Sequence, residues 1–194
     1  MRDKRVSNQE LRDLVVADQA DRNDHPAYNT PEYWHLRECD AARRQRVNEL
    51  LTQGLLTAPD DYFHAALIFQ HGETLEEIWQ AHELAQRAAE MGATKAMGSK
   101  DSRWLAAAAL DRWLMYQGKA QKYGTQFVAD SKRWRLWDVD PTTTDAERAA
   151  NHVPPLQEQL KQAAIYTQEL GRPPVEKAPE WMKEALERWE REDS

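Results

Sequence analysis

The stretch TAPDDYFHAALIFQHGETLEEIWQAHELAQRAAEMG, residues 57–92, decides the fold. Pro59 suits the first turn of a helix, where its missing N–H would have no partner in any case. Tyr62 to Phe69 is nearly all apolar, and Gln70-His71-Gly72 closes the run. Thr74 with Glu77 three residues on is a capping box, so a second helix opens there and ends at Gly92. Two helices joined by so few residues lie antiparallel. The pair resembles one hairpin of a tetratricopeptide-like array, a solenoid that requires several such repeats.

Working outward, Ser7 with Glu10 forms a further capping box and opens a helix to about Arg22. Asp24 to Asn29, with Pro26, reads as a loop. Thr30-Pro31 starts a helix that ends at Gly54. Ala93 to Lys100 is a loop, and Asp101 or Ser99 caps a fifth helix closed by Gly118. Thr125 to Val128 and Arg133 to Trp137 are β-like, with Asp130-Ser131-Lys132 as their turn. Asp145 to Ala150 and Pro155 to Leu170 are helical, and Arg172-Pro173-Pro174 breaks the chain. Trp181, Ala185, Leu186 and Trp189 form the stripe of a last amphipathic helix. The expectation is a mainly α antiparallel helical array with a small β-hairpin near 125–138. It comprises a helical domain, 1–170, and a C-terminal extension, 171–194.

Composition narrows the function classes. The 194 residues carry a formal net charge of −7, which a phosphate backbone repels, so nucleic acid is not the expected partner. Arg43, Arg44 and Arg46 are read as a solvated helix face. The chain has 41% apolar and 30% charged residues, an ordinary globular balance, and its eight tryptophans favour a packed core or an aromatic-lined pocket. The single cysteine, Cys39, has no partner for an internal disulfide, and no Cys/His zinc spacing exists. The N-terminal residues lack the apolar run of a signal peptide, and no apolar stretch reaches the roughly 20 residues of a membrane span. Cytoplasm is the expected location, with no membrane partner.

Four helices place an ionisable residue on an apolar face. Leu11, Leu14 and Val15 share a line with Asp18 and Arg22. Tyr33, Leu36, Val47, Leu50 and Leu51 flank Asp40. Leu75, Ile78, Ala85 and Ala89 surround His82, and Trp104, Ala107, Leu110 and Leu114 surround Asp111. A buried charge costs several kcal/mol unless it is paired, so these residues meet one another or a ligand. One reading is a structural network that fixes helix register. The other is a polar pocket with Asp111 and His82 as acid/base or ligand groups. The Glu-x-x-His pairs of di-iron bundles are absent, so neither a metal nor another cofactor is expected. His71 suits a helix C-terminal cap or a pocket. His64 reads as core or boundary, and His25, His35 and His152 as surface.

The segment Gly118 to Gln126 gathers Gln121, Tyr123, Thr125 and Gln126 around Gly124. Such groups orient ligands by hydrogen bonds, or hold a turn together. With Asp111-Arg112 before it, the run Gly118-Lys119 then Gln121-x-Tyr123-Gly124-Thr125-Gln126 resembles the signature of the bacterial domain-of-unknown-function family numbered 6624. Asp18-Gln19 with Arg22, Gln70-His71, and Arg148 with Pro154-Pro155-Leu156 are similar to further motifs of that family, in order, over about residues 11–160. Arg43 stands where an asparagine is expected, Gly54-Leu55-Leu56 replaces a Gly-Trp-Pro-like loop, and the tail after Gly171 is an addition. The resemblance implies a shared helical fold and polar cluster, and no particular reaction.

Two functional expectations follow. In the first, a small-molecule enzyme or binding protein uses His71 or Asp111 as general acid/base. Asp18, Arg22, Gln70, His82, Arg112, Gln121, Tyr123 and Gln126 then hold a polar small molecule or peptide. In the second, the chain is a non-catalytic helical interaction module, and the C-terminal helix docks on a partner or in a homodimer.

Overall fold

A computed structural model describes residues 6–22, 26, 29–94, 100–130, 132–170 and 179–193. The expected breaks over 24–29 and 172–174, the surface reading of His25, Ser99 as a cap and the tip of the 130–132 turn fall wholly or partly outside these residues. Among the described residues the protein is mainly helical, with eight helices and one two-stranded antiparallel sheet. No described helix is long and apolar enough to cross a membrane. The chain forms two compact units, residues 1–106 and 107–194, and the division falls within the fifth helix.

The first unit contains α1 (Gln9–Asp21), α2 (Pro31–Thr52), α3 (Pro59–Phe69) and α4 (Leu75–Met91). α3 is buried from Phe63 to Phe69, with His64 as the one polar side chain in that run, as suits a central helix. It packs mainly on α4 and also touches α1 and α2. The turn between α3 and α4 is tight: a Cβ on Gly72 would lie 2.6 Å from the Cβ of Glu77. Thr74 and Glu77 form the expected capping box, and Gly92 closes α4 in the left-handed conformation at φ 78°. α1 starts one residue later than expected. Asn8, not Ser7, caps it by accepting from the Leu11 amide. The Ser7 hydroxyl instead donates to Asp61 at 2.7 Å.

The second unit holds the rest of α5 (Ser102–Met115), β1 (Phe127–Ala129), β2 (Trp134–Leu136), α6 (Asp145–Ala150), α7 (Leu156–Glu169) and α8 (Glu180–Glu192). The strands pair with Phe127 opposite Leu136 and Ala129 opposite Trp134. Asp130 closes their turn by accepting from the Lys132 and Arg133 amides. α7 packs on β2, where the Trp134 amide donates to Thr167. Trp137 is the largest fully buried side chain described. It packs with Met115, Val128, Met182, Ala185 and Trp189. The apolar stripe of α8 is therefore spent within this unit.

Candidate functional site

Two polar clusters stand out, one in each unit. In the first unit, helical periodicity carries Asp18 and Arg22 on one face of α1, and Asp40, Arg43 and Arg44 on one face of α2. The Asp40 carboxylate accepts from Arg22 and Arg43, each at 2.9 Å, through one oxygen. Arg22 also lies 3.1 Å from Asp18 and Arg43 lies 3.7 Å from it. Further out, Arg43 pairs with Asp21 and Arg37 pairs with Glu73. Arg44 donates to Glu77 at 2.8 Å and to the carbonyl of His71 at 3.2 Å, which fastens α2 to the α3–α4 turn.

His71 enters this network from the end of α3. Its Nε2 lies 3.8 Å from Asp18 Oδ2, with the imidazole 28% exposed and the carboxylate 1% exposed. Carboxylates Asp18, Asp21, Asp40, Glu73 and Glu77 face guanidiniums Arg22, Arg37, Arg43 and Arg44, so the cluster holds one more negative charge than positive before His71 is counted. Burial pushes the Asp18 carboxyl above its ordinary value. Arg22, Gln19 and Arg43 oppose that push, and Asp40 adds to it. Asp18 Oδ1, Asp40 Oδ2 and Arg22 Nε are buried and make no hydrogen bond. For Glu77 burial also acts upward, but the amides of Glu73 and Thr74 together with Arg44 hold it below its ordinary value. A cleft of about 500 Å³ adjoins the cluster, with Arg44, Asn48 and Glu77 among its walls.

Arg43 and Arg44 correct the sequence reading. They are 7% and 4% exposed rather than solvated, because Asp40 one turn back, Asp21 and Glu77 on other helices and the His71 carbonyl accept from their guanidiniums. The spacing of Asp40 and Arg43, one helical turn apart and on the line of Val47 and Leu50, was the available signal. Asp21, Arg37 and Glu73 were also missed. Nothing in their local pattern marks them, since their partners lie on other helices or on the α3–α4 turn.

In the second unit, Asp111 is fully buried and accepts four hydrogen bonds. These come from the amides of Lys122, Tyr123 and Thr125 and from the Thr125 hydroxyl, at 2.7 to 3.0 Å. Burial pushes its carboxyl above the ordinary value, against those four donors. Gln121, also fully buried, donates to the carbonyls of Gln126 and Trp137 and accepts from the Gln126 amide. Gln126 donates to the Ala108 carbonyl at 3.1 Å. Arg148 donates to the carbonyls of Tyr123 and Thr143 and to Asp145. The Gly118–Gln126 segment is thus a loop whose buried polar side chains bind its own backbone and its flanks. Within it Gly124 takes φ 93°, which explains that residue.

The sequence-selected residues divide between the units. Asp18, Arg22 and His71 meet in the first, with Gln70 as the C-cap of α3. His82, also in the first unit, packs against the Trp79 ring at a tilt of 43°, and its Nδ1 lies 2.8 Å from the Ala106 carbonyl, outside the Asp18 network. Asp111, Gln121, Tyr123 and Gln126 form the loop of the second unit, where Arg112 sits 3.2 Å from the Tyr116 hydroxyl. Among the described residues no group of three or more His, Cys, Asp or Glu side chains is arranged to hold a metal ion. No protein-family model, curated protein or solved structure matches the chain.

Proposed function

We propose that the protein binds a polar small molecule beside the Asp18–His71 pair and uses that pair for proton transfer. The observation that carries the reading is the approach of His71 Nε2 to Asp18 Oδ2, a partly exposed imidazole backed by a buried carboxylate. In proton-transfer sites of this kind the carboxylate orients the ring and stabilises its protonated form, and the ring meets the substrate. The separation of 3.8 Å is longer than a hydrogen bond, as such contacts often are before a ligand closes the site. Arg22, partly exposed, lies 3.1 Å from Asp18, and the cleft lined by Arg44 and Glu77 adjoins the same network.

Membership of domain-of-unknown-function family 6624, with a bacterial source and a cytoplasmic site of action, belongs to the same proposal. It is supported by the way the resembling motifs fall: Asp18-Gln19, Arg22 and Gln70-His71 lie in or beside the first cluster. Asp111 and the Gln121–Gln126 run form the second cluster and serve there as framework. A non-catalytic interaction module would need a face other than the stripe of α8, since Met182, Ala185 and Trp189 are buried.

The test is ligand-observed NMR with a panel of polar metabolites, on wild type and on His71→Gln. Because His71 is partly exposed, the substitution leaves the fold intact. The expected result is at least one ligand bound by wild type and lost or weakened by about ten-fold in the variant. Equal binding by both proteins, or no binding by wild type, overturns the proposal.

A further inference from the structure

We propose that the second unit carries a separate site for an amphipathic monocarboxylate, an apolar body ending in one carboxylate, and that Asp193 occupies its anion end as a tethered competitor. The site is a cleft of about 470 Å³ lined by β2, α7 and α8. Clefts that hold small molecules span roughly 300–1,000 Å³. Trp134, Leu136, Leu160, Ala164 and Trp189 supply apolar walls, and Arg133 and Arg135 line the same cleft. Leu160 is 47% exposed, so a large apolar side chain faces solvent at the wall.

The arginines define the ligand chemistry. Arg133 donates to both oxygens of the Asp193 carboxylate, at 2.9 and 3.2 Å, and Arg135 pairs with one of them. Two guanidiniums on one carboxylate form a charge-assisted clamp that matches the planar anion. Arg135 is held for this task from its other sides. It pairs with Asp130, and its guanidinium lies 5.2 Å from the centre of the Trp189 ring. A second, smaller cleft of about 190 Å³ shares Arg135 and Trp189 and includes Asp193. The clamp therefore stands where the apolar cleft meets the anion position.

Asp193 is a poor residue for its own place in the helix. It is the C-cap of α8, where the helix dipole is negative and a carboxylate is disfavoured. The clamp offsets that cost and leaves Asp193 as an occupant that a free carboxylate can displace. The displaced side chain, 23% exposed, has solvent to turn into. Arg135 keeps Asp130 throughout, so no buried charge is stranded.

The test is calorimetric titration of the full chain with decanoate and, separately, with decanol. In Asp193→Asn the tether loses its charge, and decanoate should bind at least about ten-fold more tightly than to wild type. Decanol, with the same body and no charge, should bind weakly and equally to both. Ala164→Trp, an exposed substitution on a lining position, should remove decanoate binding from the Asp193→Asn background. Failure of Asp193→Asn to bind decanoate more tightly than wild type overturns the proposal, as does decanol binding as well as decanoate or binding that survives Ala164→Trp.

Discussion

Thr125 binds Asp111 twice: its amide and its hydroxyl both donate to the same carboxylate oxygen, at 3.0 and 2.8 Å. The other oxygen takes the amides of Lys122 and Tyr123. Backbone N–H groups must find acceptors when buried, and here one side chain serves three of them. Asp111→Asn puts an amide NH₂ toward donors that need an acceptor. Leaving buried donors unsatisfied costs about 3 kcal/mol. Thr125→Val keeps the amide bond and loses the hydroxyl's bond to Asp111 and the one it accepts from Gln126, whose amide group still donates to the Ala108 carbonyl, so it costs about 1–2 kcal/mol. Urea denaturation of both variants checks the ratio, and equal losses would contradict the framework role.

Gly72 yields a second prediction. Its Cβ position is 2.6 Å from the Glu77 Cβ and 3.0 Å from the Phe69 carbonyl oxygen. Neither neighbour is the free end of a flexible chain, so Gly72→Ala pries the α3–α4 turn open at a cost of about 1–3 kcal/mol. Gly54, by contrast, has nothing within 4 Å, although its φ is 68°. Gly54→Ala incurs only the left-handed penalty, about 1 kcal/mol. Thermal melts should rank the two in that order.

Local signals made much of this legible in advance. The capping box at Thr74, the prolines at 31 and 59 and Gly92 mark helix ends through chemistry within a few residues. Periodicity found the burial of Asp18, Asp40, His82 and Asp111, because an apolar face constrains whatever lies on it. It did not find Arg43 and Arg44, because a guanidinium is buried by its partners and all of these but Asp40 came from other segments. Asp61 was hidden for a related reason. An acid in the first turn of α3 reads as a solvated complement to the dipole, yet its oxygens accept from Ser7 and Asn8 as well as from Thr57 and Ala58. The Gly118–Gln126 run was legible as unusual, but its residue types suit a turn and a binding site equally.

Trp189 tests the role of the last helix. It is 5% exposed and meets the Trp137 ring edge-on at 5.6 Å. Trp189→Ala removes a large buried side chain and leaves a cavity, which costs about 3–5 kcal/mol. Near-ultraviolet circular dichroism and urea unfolding read the loss. Light scattering on the same variant separates a core role from a docking role: a fall in stability with an unchanged mass is expected, and an unchanged stability with a smaller mass would return the stripe to an interface.

The pH response of the first cluster follows from the sign of the Asp18 shift. Burial raises its carboxyl above the ordinary 3.8, so the folded state holds the proton more tightly than the unfolded chain does. Asp18's proton-linked contribution is full below the unfolded value and is lost as pH rises through the folded one. Glu77 runs the other way, since its lowered value gives stability that is lost on acidification. Asp18→Asn removes the first dependence and keeps the second. Relative to wild type, the variant should therefore gain stability as pH rises from 4 into the neutral range. Urea midpoints at several pH values check this. A difference that stays flat, or runs in the opposite direction, would mean that the arginines outweigh burial at Asp18. The carboxylate would then be held ionised at low pH, as a conventional partner of Arg22.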